Sequence, residues 1–407
     1  MPNVVFVAPF LLPTTLRFVQ AAADLPEARV GVVSQDSADR LAPALREKLA
    51  AFEQIDDALD ARSLTAAVRA LGDKIGRADR VLGALEELQV PLGEVRDALG
   101  IPGLSAASAR NFRDKARMKE VLARAGLPCA RHVRAASEAE VWKFADEVGY
   151  PLIVKPTAGS GSRGTFRVDS RERLETALGW DRPAGGRELM LEEFVTGEEH
   201  SFDSVFLDGH VAWYSTTDYF PGPLEVLEQP WIQWCVVLPR EVRRPDVDDF
   251  LPIAEKALRV LGMGPGLSHM EWFRRPDGGY AISEVGARPP GAQFMTLMSY
   301  AHDADMYRAW ILLMIHERFD PPSRPYAAGA AFLRGKGRGR IRAIHGVQRA
   351  AQAIGGLAVE VKLPERGAPT TGAYEGDGYV IVRHPETGVV RDALARIIRS
   401  IEVEVVP

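Results

Sequence analysis

The chain has 407 residues, 50 Lys+Arg against 55 Asp+Glu and a formal net charge of −5. That length allows two to three domains, and 46% hydrophobic with 26% charged residues is globular composition, which argues against disorder. The mild acidity excludes nucleic-acid binding as the main task, which needs a strong basic excess.

The elements follow in chain order. Residues 3–8 form a continuous apolar run suited to a buried parallel strand. A helix is expected over 15–23, a strand over 29–34, a helix over 63–71, a strand over 80–85 and a helix over 92–99. This alternation predicts an open α/β sheet. No GxGxxG follows the first strand, so a dinucleotide role has no support. Gly100-Ile-Pro-Gly103 marks a boundary. A helix over 114–125 stops at Gly126 and Pro128. The helix over 137–148 opens with a Ser137/Glu140 capping box. The strand 151–155 runs into a Gly/Ser loop, 157–165, then a strand over 166–168 and a helix over 170–178. Residues 189–237 read as strands rich in aromatics. A helix over 246–261 precedes strands over 268–273 and 280–285. Further helices are expected over 304–316, 346–354 and 389–400.

Two cysteines, Cys129 and Cys235, without a CxxC spacing exclude a disulfide framework and a structural zinc site. No signal peptide and no 18-residue apolar run are visible, so the reading is cytoplasmic, with no membrane partner.

The hairpin carries the sharpest geometric expectation. Arg275-Pro-Asp-Gly-Gly279 is a turn signal between two strands. If Asp277-Gly278 is its centre, Glu271 and Glu284 stand opposite each other, with Cβ atoms about 5 Å apart. His269 and Gly286 are the next pair on that face. A longer turn would slip the register. Two carboxylates so placed repel by roughly 3 kcal/mol at an effective dielectric of about 20. Three readings stand: one carboxyl keeps its proton, both share a divalent cation such as Mg²⁺, or both point into solvent.

Only nine of the 50 basic residues are Lys, so a retained lysine invites a chemical reason. Lys155 directly precedes the Gly/Ser loop, and Lys115 lies on the helix before it. Glycines let backbone approach phosphate oxygens, and Ser160 and Ser162 add donors. No Gly-Lys-Ser/Thr follows, so this is not a Walker A loop.

These pieces assemble into a resemblance. Arg113-Asp-Lys-Ala-Arg-Met-Lys119, Tyr150-Pro-Leu-Ile-Val-Lys-Pro156, Leu191-Glu-Glu-Phe-Val-Thr-Gly-Glu-Glu-His-Ser201, His269-Met-Glu271 and Glu284-Val-Gly-Ala-Arg288 occur in the order of the ATP-grasp superfamily. The resemblance covers about residues 100–300. It implies an N-terminal open α/β domain (1–105), a small lobe with linking helices (106–188), a large lobe with the metal site (189–325) and a C-terminal mixed α/β subdomain (326–407). The fold class is therefore α/β and α+β. It implies ATP as nucleotide, with Lys115 and Lys155 on the phosphates. Glu192, Glu193, Phe194 and Val195 would line the adenine, and Glu199 would hold the ribose. Glu271 and Glu284 would hold Mg²⁺, which Mn²⁺ can replace. Arg288 would stabilise the transferred phosphate or acyl phosphate, with Glu284 and His269 beside it.

Gly286 stands where many members have Asn, which leaves the number of metal ions open. The His-x-Glu element with a small residue there is similar to the L-amino acid ligase branch. The implied activity is carboxylate–amine ligation through an acyl phosphate, with small-molecule carboxylate and amine substrates. The alternatives are a biotin-carboxylase-like carboxylase and a non-catalytic nucleotide-binding module. A homodimer is the family's expectation. Two clusters stay open: the aromatics Trp213, Tyr214, Tyr219, Phe220, Trp231 and Trp234 read as core or as an acyl wall, and the basic run from Arg334 to Arg342 as a solvated hairpin or an anion clamp.

Overall fold

The computed structural model describes all residues except 158–163, 181–182, 184–187, 230–231, 374 and 407. The chain begins with a parallel four-stranded sheet in the order Ala51–Gln54, Arg29–Ser34, Asn3–Val7, Arg80–Leu82. Alternate residues of the first strand bury on opposite faces. Val5 and Val7 meet Leu64 and Leu71 of the helix Ala61–Ile75. Val4 and Phe6 join Phe18 and Trp310. A strand buried on both sides needs a continuous apolar run, which residues 3–8 supply. The strand Ala51–Gln54 has no such run, which hides it in the sequence.

The small lobe is a four-stranded antiparallel sheet in the order His132–Ala135, Leu189–Glu193, Leu152–Pro156, Phe166–Val168. Leu189–Glu193 pairs on both sides here, so this sheet crosses the expected division at 188/189. The capping box at Ser137 is present. Lys115–Arg124 is preceded by a further helix, Ala106–Arg113. Both helices pack on the large sheet, since Phe112, Met118 and Leu122 share a core with Phe250 and Trp272.

The large sheet has eight strands, in the order Tyr280–Gly286, Gly266–Arg274, Glu198–Leu207, His210–Phe220, Trp234–Leu238, Ala327–Leu333, Gly378–His384, Ala358–Lys362. The last three lie beyond residue 326. The segment 326–407 continues this sheet, joined where Ala327–Leu333 pairs with Trp234–Leu238. Both of those strands are wholly buried. One face packs on the helix Pro245–Leu261, with Phe250 stacked on Trp272 at 4.3 Å. Burying one such ring contributes roughly 2–3 kcal/mol. The other face carries the site. Beneath it lie Phe294–His302 and Met306–His316, two helices where the sequence predicts one. The first is buried nearly all round, so it shows no amphipathic period. Among the described residues no helix is long and apolar enough to cross a membrane.

Candidate active site

The hairpin puts Glu271 opposite Glu284 and His269 opposite Gly286, as expected. It reaches that register by another route. Arg275 N–H donates to the Gly279 carbonyl, so the turn centres on Asp277 alone, and the pairs nearest it are Arg274–Tyr280 and Phe273–Ala281. A shift between Glu271 and Trp272 then inserts one residue and restores the glutamate pair. A bulge is the means by which one strand re-aims its side chains.

Neighbouring cations flank this pair. Lys115 donates to Glu284 at 2.5 Å, and His269 Nε2 lies 3.6 Å from Glu271. Burial alone would raise the Glu284 pKa, but Lys115 and Lys155 hold it down at about 2. Burial alone would lower His269. Asp203, 2.7 Å from its Nδ1 and fully buried, overrides that together with Glu271 and pushes it up to about 9.

Lys155 Nζ lies 2.9 Å from Glu192 and Lys119 Nζ lies 3.3 Å from the same oxygen. Burial disfavours both cations. It wins at Lys119, whose pKa is lowered. It loses at Lys155, where Glu192, Glu284 and Glu271 raise the pKa. The two lysines in turn keep Glu192 ionised against its own burial. Glu193 is held by Arg131 and Arg275 at 2.6 and 3.0 Å, and Arg167 stacks on Phe194 at 4.3 Å. Burial, then Glu271 and Glu284, push Glu199 well above the carboxylate range.

Lys115, Lys155, Glu192, Glu193, Phe194, Val195, Glu199, Glu271 and Glu284 all line one cleft between the lobes. Ile153, Leu224, Phe273 and Ile282 add apolar walls to this cleft. A second space opens past Glu199 and shares Phe194, Val195, Leu224 and Phe273 with it. Ser160 and Ser162 lie outside the described residues. His269 and Arg288 sit beside the cleft but do not line it. Arg288 donates through Nε to Glu86 of the N-terminal unit.

Three residues escape the sequence reading. Lys119 belongs to a quoted motif and is one of only nine lysines, a signal that was available. Asp203 and Glu86 carry no local signal, because their partners are 66 and 202 positions away.

The open clusters resolve. Trp213, Tyr219 and Trp234 are core residues, whereas Phe220 is exposed; Trp231 lies outside the described residues. In the basic run, Arg334 donates to the Val226 and Ile232 carbonyls, and Arg340 to that of Gly367. Lys336 and Arg342 pair with Glu402 and Glu404. These partners favour a structural role over an anion clamp.

The donor chemistry suits a hard divalent cation. Glu271 and Glu284 offer two carboxylates at the cleft, and among the described residues no cluster of three or more candidate ligands occurs. Mg²⁺ prefers such a partial set, completed by water and phosphate oxygens.

Residues 114–211 match the family described as carbamoyl-phosphate synthase L chain, ATP binding domain. The chain is 23% identical over 248 residues to the L-arginine-specific L-amino acid ligase of Bacillus subtilis, covering 60% of this chain and 59% of that one. The crystal structure of the L-amino acid ligase from Bacillus licheniformis superposes with a TM-score of 0.79 over 100% of this chain and 99% of that one, at 18% identity. Residues 114–211 thus carry the matched ATP-binding domain, and the chain as a whole has an ATP-grasp fold. Another ATP-grasp likeness is the ADP complex of an N5-carboxyaminoimidazole ribonucleotide synthetase, with a TM-score of 0.74 at 14% identity, covering 98% of this chain and 97% of that one. The uncharacterised protein y4rH of Sinorhizobium fredii is 30% identical over 381 residues, covering 90% of this chain and 77% of its own length.

Proposed function

We propose that the chain is an ATP-dependent carboxylate–amine ligase that forms an amide bond and releases ADP and phosphate. The observation that carries this reading is the facing pair Glu271/Glu284, flanked by Lys115 and Lys155, at one end of a cleft whose other end is an apolar slot along Glu192–Val195. Adenine would sit among Ile153, Leu224 and Phe273, and Glu199 would take the ribose hydroxyls; all four line the cleft.

In this reading a substrate carboxylate oxygen attacks the γ-phosphorus of ATP, and the bond to ADP breaks. An amine then attacks the acyl carbon, phosphate leaves with the bonding pair, and the amine's surplus proton passes to phosphate or solvent. Lys115 and Lys155 place positive charge against the phosphates. Arg288 faces the acyl phosphate, and its planar fork suits phosphate oxygens. Glu271 and Glu284 would hold Mg²⁺, or Mn²⁺, which would supply neutralising charge for the phosphates. His269, oriented by Asp203, adds a cation on the substrate side. Catalysis is then positioning and electrostatic stabilisation. A cytoplasmic setting belongs to this proposal.

The test is product analysis of ATP turnover against a panel of amino acids and other carboxylic acids. ADP and phosphate formation that depends on both a carboxylate and an amine supports the reading. AMP with pyrophosphate, or phosphate release driven by bicarbonate alone, would overturn it.

A further inference from the structure

The first sheet reverses its order at one place. From Asn3–Val7 the chain steps to Arg29–Ser34 and Ala51–Gln54 on one side, then returns to Arg80–Leu82 on the other, and all four strands are parallel. Such a reversal leaves a crevice outside the carboxyl ends of the two strands that flank it. Here those ends run into residues 8–12 and 83–86. They lie side by side, since a Cβ on Gly83 would stand 3.3 Å from the Val7 carbonyl oxygen. Glu86 takes the Arg288 guanidinium at this end. The helix Pro13–Ala23 is tied to the same place: its Arg17 donates to Thr296 at 2.9 Å, and Thr296 donates to Gln293, in the turn that follows Arg288, at 3.1 Å. The crevice therefore opens beside the guanidinium that the proposed reaction sets against the acyl phosphate.

Residues 8–13 read Ala-Pro-Phe-Leu-Leu-Pro. A phosphate-binding turn in this position uses glycines and open N–H groups at the start of the helix. This turn has no glycine, Pro9 and Pro13 carry no N–H, and the Leu11 N–H is taken by Asp36 at 2.8 Å. Leu11 turns inward and is 4% exposed, while Phe10 and Leu12 on either side of it are 48% and 45% exposed. Covering two large apolar side chains is favourable, and an apolar group covers them best.

We propose that the carboxylate substrate carries a bulky, uncharged apolar group that lies over Phe10 and Leu12 while its carboxyl group meets Arg288. This rests on the ligase reading above. The phosphate binds the acyl group from the Arg288 side, so the remainder of the substrate extends away from it, into the crevice. A phosphorylated substrate finds no N–H cradle in this turn.

The experiment is titration calorimetry on the full chain with Mg·ADP present and five amino acids that differ only in the side chain. L-Phenylalanine and L-leucine are expected to bind at least about tenfold more tightly than glycine, L-aspartate and O-phospho-L-serine. Phe10→Ser and Leu12→Ser each weaken L-phenylalanine by about tenfold. Mg·ADP affinity and melting stay unchanged, because both side chains are exposed and neither lines the nucleotide cleft. L-Aspartate or O-phospho-L-serine binding as tightly as L-phenylalanine, no binding of either apolar acid, or L-phenylalanine binding indifferent to both substitutions overturns the proposal. The binding readout needs no turnover. Failure of the ligase reading shows separately, as AMP with pyrophosphate or as phosphate release driven by bicarbonate alone, whichever acid binds.

Discussion

Arg288 donates through Nε to Glu86 and through Nη1 to the Pro289 carbonyl at 2.9 Å, so the N-terminal unit grips the loop that leaves the glutamate hairpin. Glu86 is 7% exposed, so this ion pair is largely shielded from water. Gly286 sits under the same pair: a Cβ there would lie 3.3 Å from Glu86 Oε2 and 3.6 Å from Arg288 Cγ. A larger residue at 286 would have to shift the Glu86 carboxylate that holds Arg288 by a few tenths of an ångström.

Glu86→Gln keeps the volume and removes the charge that fixes Arg288. The expected outcome is a kcat loss of about tenfold with a smaller change in KM for ATP, against about 10²- to 10³-fold for Arg288→Ala. Steady-state phosphate release checks this, with thermal melting as the control for folding. Equal activity of Glu86→Gln and wild type would remove Glu86 from the positioning role.

Glu271→Gln and Glu284→Gln each remove a hard oxygen anion from the cleft. Titration calorimetry is expected to show at least about tenfold weaker Mg·ADP binding, while metal-free ADP binds nearly as before. Glu284→Gln also removes the Lys115–Glu284 ion pair, so it is expected to weaken the preference for metal-bound over free nucleotide more than Glu271→Gln does.

Lys119 is buried against Glu192 with a side chain 1% exposed. Lys119→Met leaves Glu192 with Lys155 alone. Breaking a buried pair from one side costs about 3 kcal/mol, which urea unfolding would report as a lower midpoint at unchanged slope. Lys119→Arg is expected to recover most of the loss.

His302 gives the chain an acid-side dependence. Burial, with the Arg324 guanidinium nearby, lowers its pKa to about 4 from 6.5. The unfolded chain therefore binds this proton more readily between those values. The contribution is fully present above pH 6.5 and is lost as pH falls toward 4, roughly 3 kcal/mol in all. His302→Phe keeps a ring against Trp213, which lies 5.3 Å away. Unfolding free energies measured from pH 4 to 7 are expected to show a shallower slope in that variant.

Much of the site was legible because its signals are local. The hairpin turn around Asp277 brings Glu271 and Glu284 together across a dozen residues, and Lys115, Lys155 and Glu192–Val195 sit in short motifs with their own spacing. The hairpin also shows how such reading succeeds with a flaw. The turn centre was off by half a residue, and a bulge cancelled the error before the glutamates.

What the sequence by itself determined was therefore the order of elements, the paired carboxylates and the lysines that line the cleft, each carried by a short local motif. Only the tertiary structure decided that Glu86 holds Arg288, that Asp203 orients His269, that Lys119 and Lys155 share Glu192 and that the C-terminal strands extend the large sheet. These depend on which surfaces bury one another. Burial rewards any apolar surface of suitable shape, so composition along the chain does not specify the partner, and a buried charge finds its counter-charge only where the packing brings one.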